Sequence, residues 1–128
     1  MKSFIFIIGI FFSTLSCSSN LENIYSKLDI TTFNSSLMPM RSGNETFLSE
    51  FEQLPPPIFT EHEIRLEDEY WLYSIKLFKT KGDSLYICFL DKAKQGNYHS
   101  QTPLVLRSYG EKLVAIALQS DVCKSFSK

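Results

Sequence analysis

No apolar run in this 128-residue chain reaches the roughly 20 residues that a helix needs to span a bilayer core. Basic residues gather in no stripe. Thirteen Lys and Arg stand against fourteen Asp and Glu, for a net charge of −1, and this argues against a nucleic-acid partner. Glycine is scarce, at five residues, and forms no phosphate-cradling loop; no Gly-x-Ser-x-Gly elbow marks a nucleophile. The two histidines, His62 and His99, and the three cysteines fall in no familiar metal-ligand spacing, and no internal repeat is present. The sequence therefore implies no metal and no cofactor.

What is present begins at the N-terminus. Lys2 is the only charge before Phe4–Leu15, "FIFIIGIFFSTL". A short positive segment followed by an apolar stretch too short to cross a membrane matches an export signal over residues 1–16. The competing reading, a buried N-terminal helix or strand, is weakened by the abrupt change to "SCSSN". Ordinary signal peptidase would cut after a small residue such as Ser16 or Ser19. Ser13-Thr14-Leu15-Ser16-Cys17 also resembles the bacterial lipobox, in which a small residue precedes an invariant cysteine. That family more often places Leu where Thr14 stands. The resemblance covers residues 1–17 and implies an address, not an activity. Cys17 would become the lipid-carrying N-terminus of a bacterial lipoprotein facing the periplasm, with residues 17–20 as a short tether. Ser18, in place of Asp, would permit passage to the outer membrane under the best-known sorting rule. The alternatives are a soluble secreted protein and a eukaryotic one, since Asn34-Ser35-Ser36 and Asn44-Glu45-Thr46 match the N-glycosylation pattern.

Residues 17–128 suit a single domain able to bury its own core. Loss of Lys2 with the signal takes the net charge from −1 to −2. Once Cys17 is lipidated or removed, Cys88 and Cys123 remain, and an even pair in an exported protein reads as a disulfide. Two buried free thiols are the alternative.

"NLENIYSKL" spaces Leu21, Ile24, Tyr25 and Leu28 as one helix face, while residues 29–44 read as a broken polar loop. Ser42-x-x-Glu45 has the form of a capping box, and Phe47, Leu48, Phe51 and Leu54 follow on one face, so a second helix is expected before Pro55-Pro56-Pro57 stops it. The triple proline reads as a rigid connector rather than a ligand for a proline-reading domain. From Thr60 the period becomes two. "SLYICFL" is apolar on both sides, as in a central strand, and Gly110-Glu111 is a two-residue hairpin signal. The expected fold is α+β: one or two N-terminal helices packed on a four- to five-stranded, mostly antiparallel sheet. That layout resembles cystatin-like and nuclear-transport-factor-2-like architectures, a likeness of arrangement that carries no site.

Three groups of residues invite a chemical reading. Glu61, Glu63, Glu67 and Glu69 share a strand face with Arg65. Carboxylates two apart on a flat strand point in parallel rather than converging on calcium, so a solvated face paired with Lys76 and Lys79 fits better. His62 alternates with Ile64 and Leu66, which predicts a partly buried ring rather than a catalytic base. The segment Asp91 to Thr102 reads as a long polar connection, and its Lys92, Lys94, Asn97, Tyr98, His99 and Gln101 form a candidate protein-binding loop. The reading of the whole chain is a non-catalytic, lipid-anchored envelope protein that binds another protein. Its rivals are an immunity or inhibitor lipoprotein that neutralises a toxic enzyme, and a carrier or small enzyme with a pocket between helix and sheet.

Overall fold

A computed structural model describes residues 16–37, 39 and 41–126, with only the backbone described at 16–19, 125 and 126. Residues 1–15 of the expected export signal, 1–16, lie outside that range. Six strands stand side by side in chain order, each antiparallel to the next: β1 (Ile58–Phe59), β2 (Glu63–Glu67), β3 (Trp71–Lys81), β4 (Ser84–Ala93), β5 (His99–Tyr109) and β6 (Lys112–Ala117). One helix, α1 (Ser16–Lys27), precedes them. The expected α+β fold is therefore corrected: the molecule is a six-stranded meander with one short helix. Residues 17–20, read as a tether, are the first turns of α1.

The meander follows from its turns. Gly82 (φ 59°) and Gly110 (φ 65°) open two-residue hairpins, where a positive φ matches the twist of the flanking strands. A register shift between Leu77 and Lys79 adds one residue to β3 opposite β4. The sixth strand was missed because β1 is two residues long and directly follows Pro57. So short an edge strand, entered from three prolines, offers little backbone for pairing with another chain.

One sheet face is the core. Ile64, Leu66, Tyr73, Ile75, Ile87, Phe89, Leu104 and Leu106 alternate inward and are covered by Leu21 and Ile24 of α1 and by Leu28 just after it. Much of the rest of that cover comes from the segment read as a polar loop. Ile30, Phe33 and Leu37 are buried, and a 3-10 helix at Ile30–Thr32 turns the chain along the sheet. Because that segment takes so much of the inner face, the expected second helix has little surface left to bury. Only the 3-10 helix Leu48–Glu50 forms there, with Leu48 and Phe51 buried. The Ser42 N–H does donate to Glu45 (2.9 Å), but the Glu50 carboxylate also draws in the N–H groups of Thr46 (2.8 Å) and Phe47 (2.9 Å). A segment of this length with little sheet surface to bury its apolar face against does not hold a helix.

Asp29 fastens the cover to the sheet edge. Its carboxylate accepts from the Thr31 N–H (2.9 Å) and from Lys112 Nζ (2.9 Å), while its own N–H donates to the Leu113 carbonyl (2.9 Å). Burial pushes the carboxyl up, but hydrogen bonds from Thr31 and Lys112 together outweigh it and hold the carboxyl below its ordinary value of 3.8. A depressed folded value means that the contribution is present above that ordinary value and lost as pH falls through the folded one. Asp29→Asn keeps the capping oxygen but loses the charge that faces Lys112, so it should cost about 1 kcal/mol at pH 7, and the gap from wild type should close as pH falls below 3.8. Urea midpoints measured for both proteins from pH 7 down to pH 2 would check this.

The Cys88 and Cys123 sulfurs are at bonding distance, 2.12 Å, with Cα atoms 5.6 Å apart. The bond does not arise from β4 and β6 being neighbours. β5 lies between them. The chain leaves β6 with the Leu118 N–H donating to the Pro103 carbonyl (3.0 Å), and the 3-10 helix Val122–Phe126 packs over β5 on the face opposite the core. Pro103 is the register partner of Cys88, so the tail needs to cross one strand to reach it.

Candidate binding site

The β2–β3 turn, Asp68 to Tyr70, and the β4–β5 turn, Lys94 to Tyr98, stand together at one end of the sheet. The Lys94 N–H donates to the Tyr70 carbonyl (2.9 Å), and Lys94 Nζ lies 2.7 Å from Glu67. The first turn is built by Asp68, whose Oδ1 accepts from the N–H groups of Tyr70 (2.7 Å) and Trp71 (2.8 Å). The ring of Trp71 then lies between Tyr73 (centroids 6.1 Å) and Tyr98 (5.6 Å). Tyr70 and Tyr98 are exposed.

Behind the aromatic rings is a buried carboxylate. Asp91 occupies an inward position of β4, in phase with Leu85, Ile87 and Phe89, and is 1 % exposed. The Ser36 N–H donates to its Oδ2 (2.8 Å), and Oδ1 accepts from Ser36 Oγ (2.8 Å) and Trp71 Nε1 (2.6 Å). Ser36 Oγ also lies 3.0 Å from the Tyr73 hydroxyl. Burial, opposed by the Ser36 hydrogen bond and helped by the nearby Asp91 and Asp68 charges, pushes the Tyr73 phenol up to about 12. Tyr73 is thus a neutral phenol throughout the physiological range.

A cleft of about 250 Å³ opens in front of this network. Trp71 and Tyr73 form an aromatic wall and Leu54, Pro55 and Leu66 an apolar one. Ser36, Gln53 and Asp68 supply the polar groups.

The structure divides the candidate loop. β4 and β5 extend into it, so the connection is the tight turn at residues 94–98 rather than a long loop. Lys92 and His99 are register partners on the face away from the core, and His99 Nε2 lies 3.2 Å from Gln101 Nε2 on the same strand. Lys94 is drawn to Glu67, Asn97 is exposed in the turn, and Tyr98 joins Trp71 on the core side. Of the six, Tyr98 alone stacks on the cleft's aromatic wall.

Two further expectations change. His62 is exposed, not partly buried, because β2 begins one residue later; its ring lies 3.7 Å from the Glu61 carboxylate. In the acidic strand, Arg65 bridges Glu63 (3.5 Å) and Glu67 (3.1 Å), and Ser74 donates its hydroxyl to Glu63. The cation that crosses to Glu67 is Lys94; Lys79, expected there, lies over the Tyr86 ring at 5.1 Å. Hydrogen bonds from Lys94 first, then Arg65, hold the Glu67 carboxyl below its ordinary range. Among the described residues, no group of three or more His, Cys, Asp and Glu is placed to hold a metal ion.

No protein-family model matches this chain, and no curated protein or solved structure does so. The class that fold and site define is a disulfide-closed antiparallel meander with an aromatic cleft at one end.

Proposed function

We propose that the protein is a non-catalytic, exported envelope protein, tethered by a lipid on Cys17, that binds another protein with the aromatic end of its sheet. One observation carries this reading: the start of α1, where Cys17 stands, and the aromatic cleft belong to opposite ends of the sheet. α1 lies across the end that holds the Gly82-Asp83 and Gly110-Glu111 turns. Asn20 and Asn23 line a crevice with Gly82, Asp83 and Ser108, and Ser26 lines another with Gly110. The turns at 68–70 and 94–98 are separated from that end by the length of β3 and β4, roughly 30 Å for strands of this size. A lipid at Cys17 would hold the Gly82 end toward the membrane and present Tyr70, Trp71 and Tyr98 away from it. Tyrosine and tryptophan supply much of the binding energy at protein interfaces, since each buries a large area at small entropic cost.

The disulfide supports an oxidising compartment. Among the described residues, no helix is long and apolar enough to cross a membrane, so attachment falls to the lipid in this reading. A carrier or small enzyme is less well supported. Leu21, Ile24, Leu28 and Ile30 fill the space between helix and sheet, and about 250 Å³ falls below the roughly 300–1,000 Å³ of most small-molecule pockets. The Ser36 hydroxyl is held by Asp91 and Tyr73, with no imidazole on it.

Two measurements test the reading. Intact mass of the mature protein should begin at an acylated Cys17, and the protein should partition into detergent; Cys17→Ala should release it folded. A mature chain that starts after Cys17 and partitions into water removes the tether. A photo-crosslinking residue at position 98, placed in the living cell, should trap a discrete protein, while the same residue at position 83 should not. Equal trapping at both positions, or none at 98, removes the binding end.

A further inference from the structure

We infer that the cleft at the aromatic end receives a lysine or arginine side chain from the partner protein. The inference rests on the protein-binding reading and adds the chemistry of its occupant.

Charge complementarity is the first ground. Among the described residues lining the cleft there is no Lys or Arg, and the one charged group is the Asp68 carboxylate. Its Oδ1 is occupied by the two turn N–H groups, which leaves Oδ2 for a ligand. Glu69 is exposed beside it. Next to the cleft, and sharing Gln53 with it, a polar hollow is lined by Glu45, Glu50 and Glu52. The nearby cations are engaged: Lys94 is paired with Glu67, and Arg41 Nε donates to the Glu45 carbonyl (2.7 Å).

Shape and surface are the second. A volume of about 250 Å³ suits one long side chain better than a drug-sized ligand. Leu54, Pro55 and Leu66 match an aliphatic stem, and the Trp71 and Tyr73 rings match a cation at its tip, because aromatic faces attract ammonium and guanidinium groups. Asp91 is buried behind the cleft and does not line it, its oxygens held by Ser36 and Trp71.

Trp71 is the only tryptophan of the chain, so its indole resonance and its fluorescence report on the cleft directly. The probes are acetyl-Gly-Lys-Gly-amide, its norleucine counterpart, which keeps the stem and lacks the charge, and free n-butylammonium. Titration of the oxidised protein with the lysine peptide should shift the Trp71 indole signal saturably, with an affinity about tenfold above that of the norleucine peptide. In Asp68→Asn the lysine peptide should lose most of that advantage, the remainder being the attraction of the rings. Asparagine retains the side-chain oxygen that accepts from Tyr70 and Trp71, so the turn stands and only the charge is lost. Equal affinity for the lysine and norleucine peptides, no saturable shift with the lysine peptide, or an unchanged affinity in Asp68→Asn overturns the inference. So does n-butylammonium binding as tightly as the lysine peptide, which would make the occupant a free small cation. A protein trapped at position 98 together with no lysine-peptide binding refutes the cation and leaves the partner reading standing. Lysine-peptide binding with nothing trapped at 98 supports the cleft chemistry and removes the protein partner.

Discussion

Reduction of the Cys88–Cys123 bond should lower the melting temperature by on the order of ten degrees while leaving the sheet intact. The bond closes a loop with a sequence separation of 35 residues. In the chain-entropy account, a loop of that size restricts the unfolded ensemble by about 3–4 kcal/mol, which for a domain of this size corresponds to a shift of that order. The folded state loses less, because β4 and β5 hold each other by an unbroken register from Leu85–Leu106 to Lys92–His99. What reduction frees is the tail. The 3-10 helix Val122–Phe126 packs on β5, and the buried Cys123 is tied by the bond to Cys88 in β4. Hydrogen exchange should therefore rise first over residues 118–126, and Cys88→Ala should reproduce the shift seen on reduction. Calorimetry with and without reductant, and peptide mapping of unreduced protein, measure both. Two freely alkylated thiols in native, oxidised protein would refute the bond.

Asp91→Ala should be the most damaging single substitution at the aromatic end, at about 3–5 kcal/mol. The carboxylate is buried, and alanine leaves three donors facing an empty space: the Ser36 N–H, Ser36 Oγ and Trp71 Nε1. Buried donors without acceptors carry their full desolvation penalty, and bonds to a charged acceptor are stronger than neutral ones. Asp91→Asn should cost less, about 1–3 kcal/mol. It keeps the volume and one acceptor oxygen but turns an NH₂ group toward donors. Urea unfolding gives the energies. The near-ultraviolet signal of the lone tryptophan should change in both variants even where the sheet survives, because its indole N–H has lost its place. An Asp91→Ala protein within 1 kcal/mol of wild type would show that water replaces the carboxylate and that the network does not organise the site.

The placement of Asp91 marks where sequence reading stops. It stands in phase with Leu85, Ile87 and Phe89, yet the sequence pattern ends the strand at Leu90 and gives Asp91 to the polar connection, because a charge after an apolar run looks like a strand end until its partners are known. Ser36 carried no signal at all. It lies 55 residues away in a stretch rich in Ser, Thr and Asn, and only the fold brings it under Asp91. Asp68 had the residue type of a turn former, yet its exposure to the cleft depends on Gln53–Pro55 lying opposite Trp71.

The elements divide in the same way. The sequence by itself determined what depends on near neighbours: the helical spacing of Leu21, Ile24 and Leu28, the period of two that begins after Thr60, the central strand "SLYICFL" and the glycine turn at 110. These features repeat within a few residues, and the backbone period or a positive φ dictates the residue type. Cysteine parity was also readable from composition, because an unpaired thiol is out of place in an oxidising compartment. Only the tertiary structure decided which segment covers the sheet. Residues 29–37 and 42–54 both carry a few apolar side chains, and their local patterns favoured the second as the helix. The inner face has limited area, and Ile30, Phe33 and Leu37 cover much of it; Leu48 and Phe51 fit as a 3-10 turn at its margin. It likewise decided that the tail crosses β5 to reach Cys88 and that the cleft forms where two turns and a distant serine meet. Such contacts are set by competition for buried area across the whole chain, and no local period records its outcome.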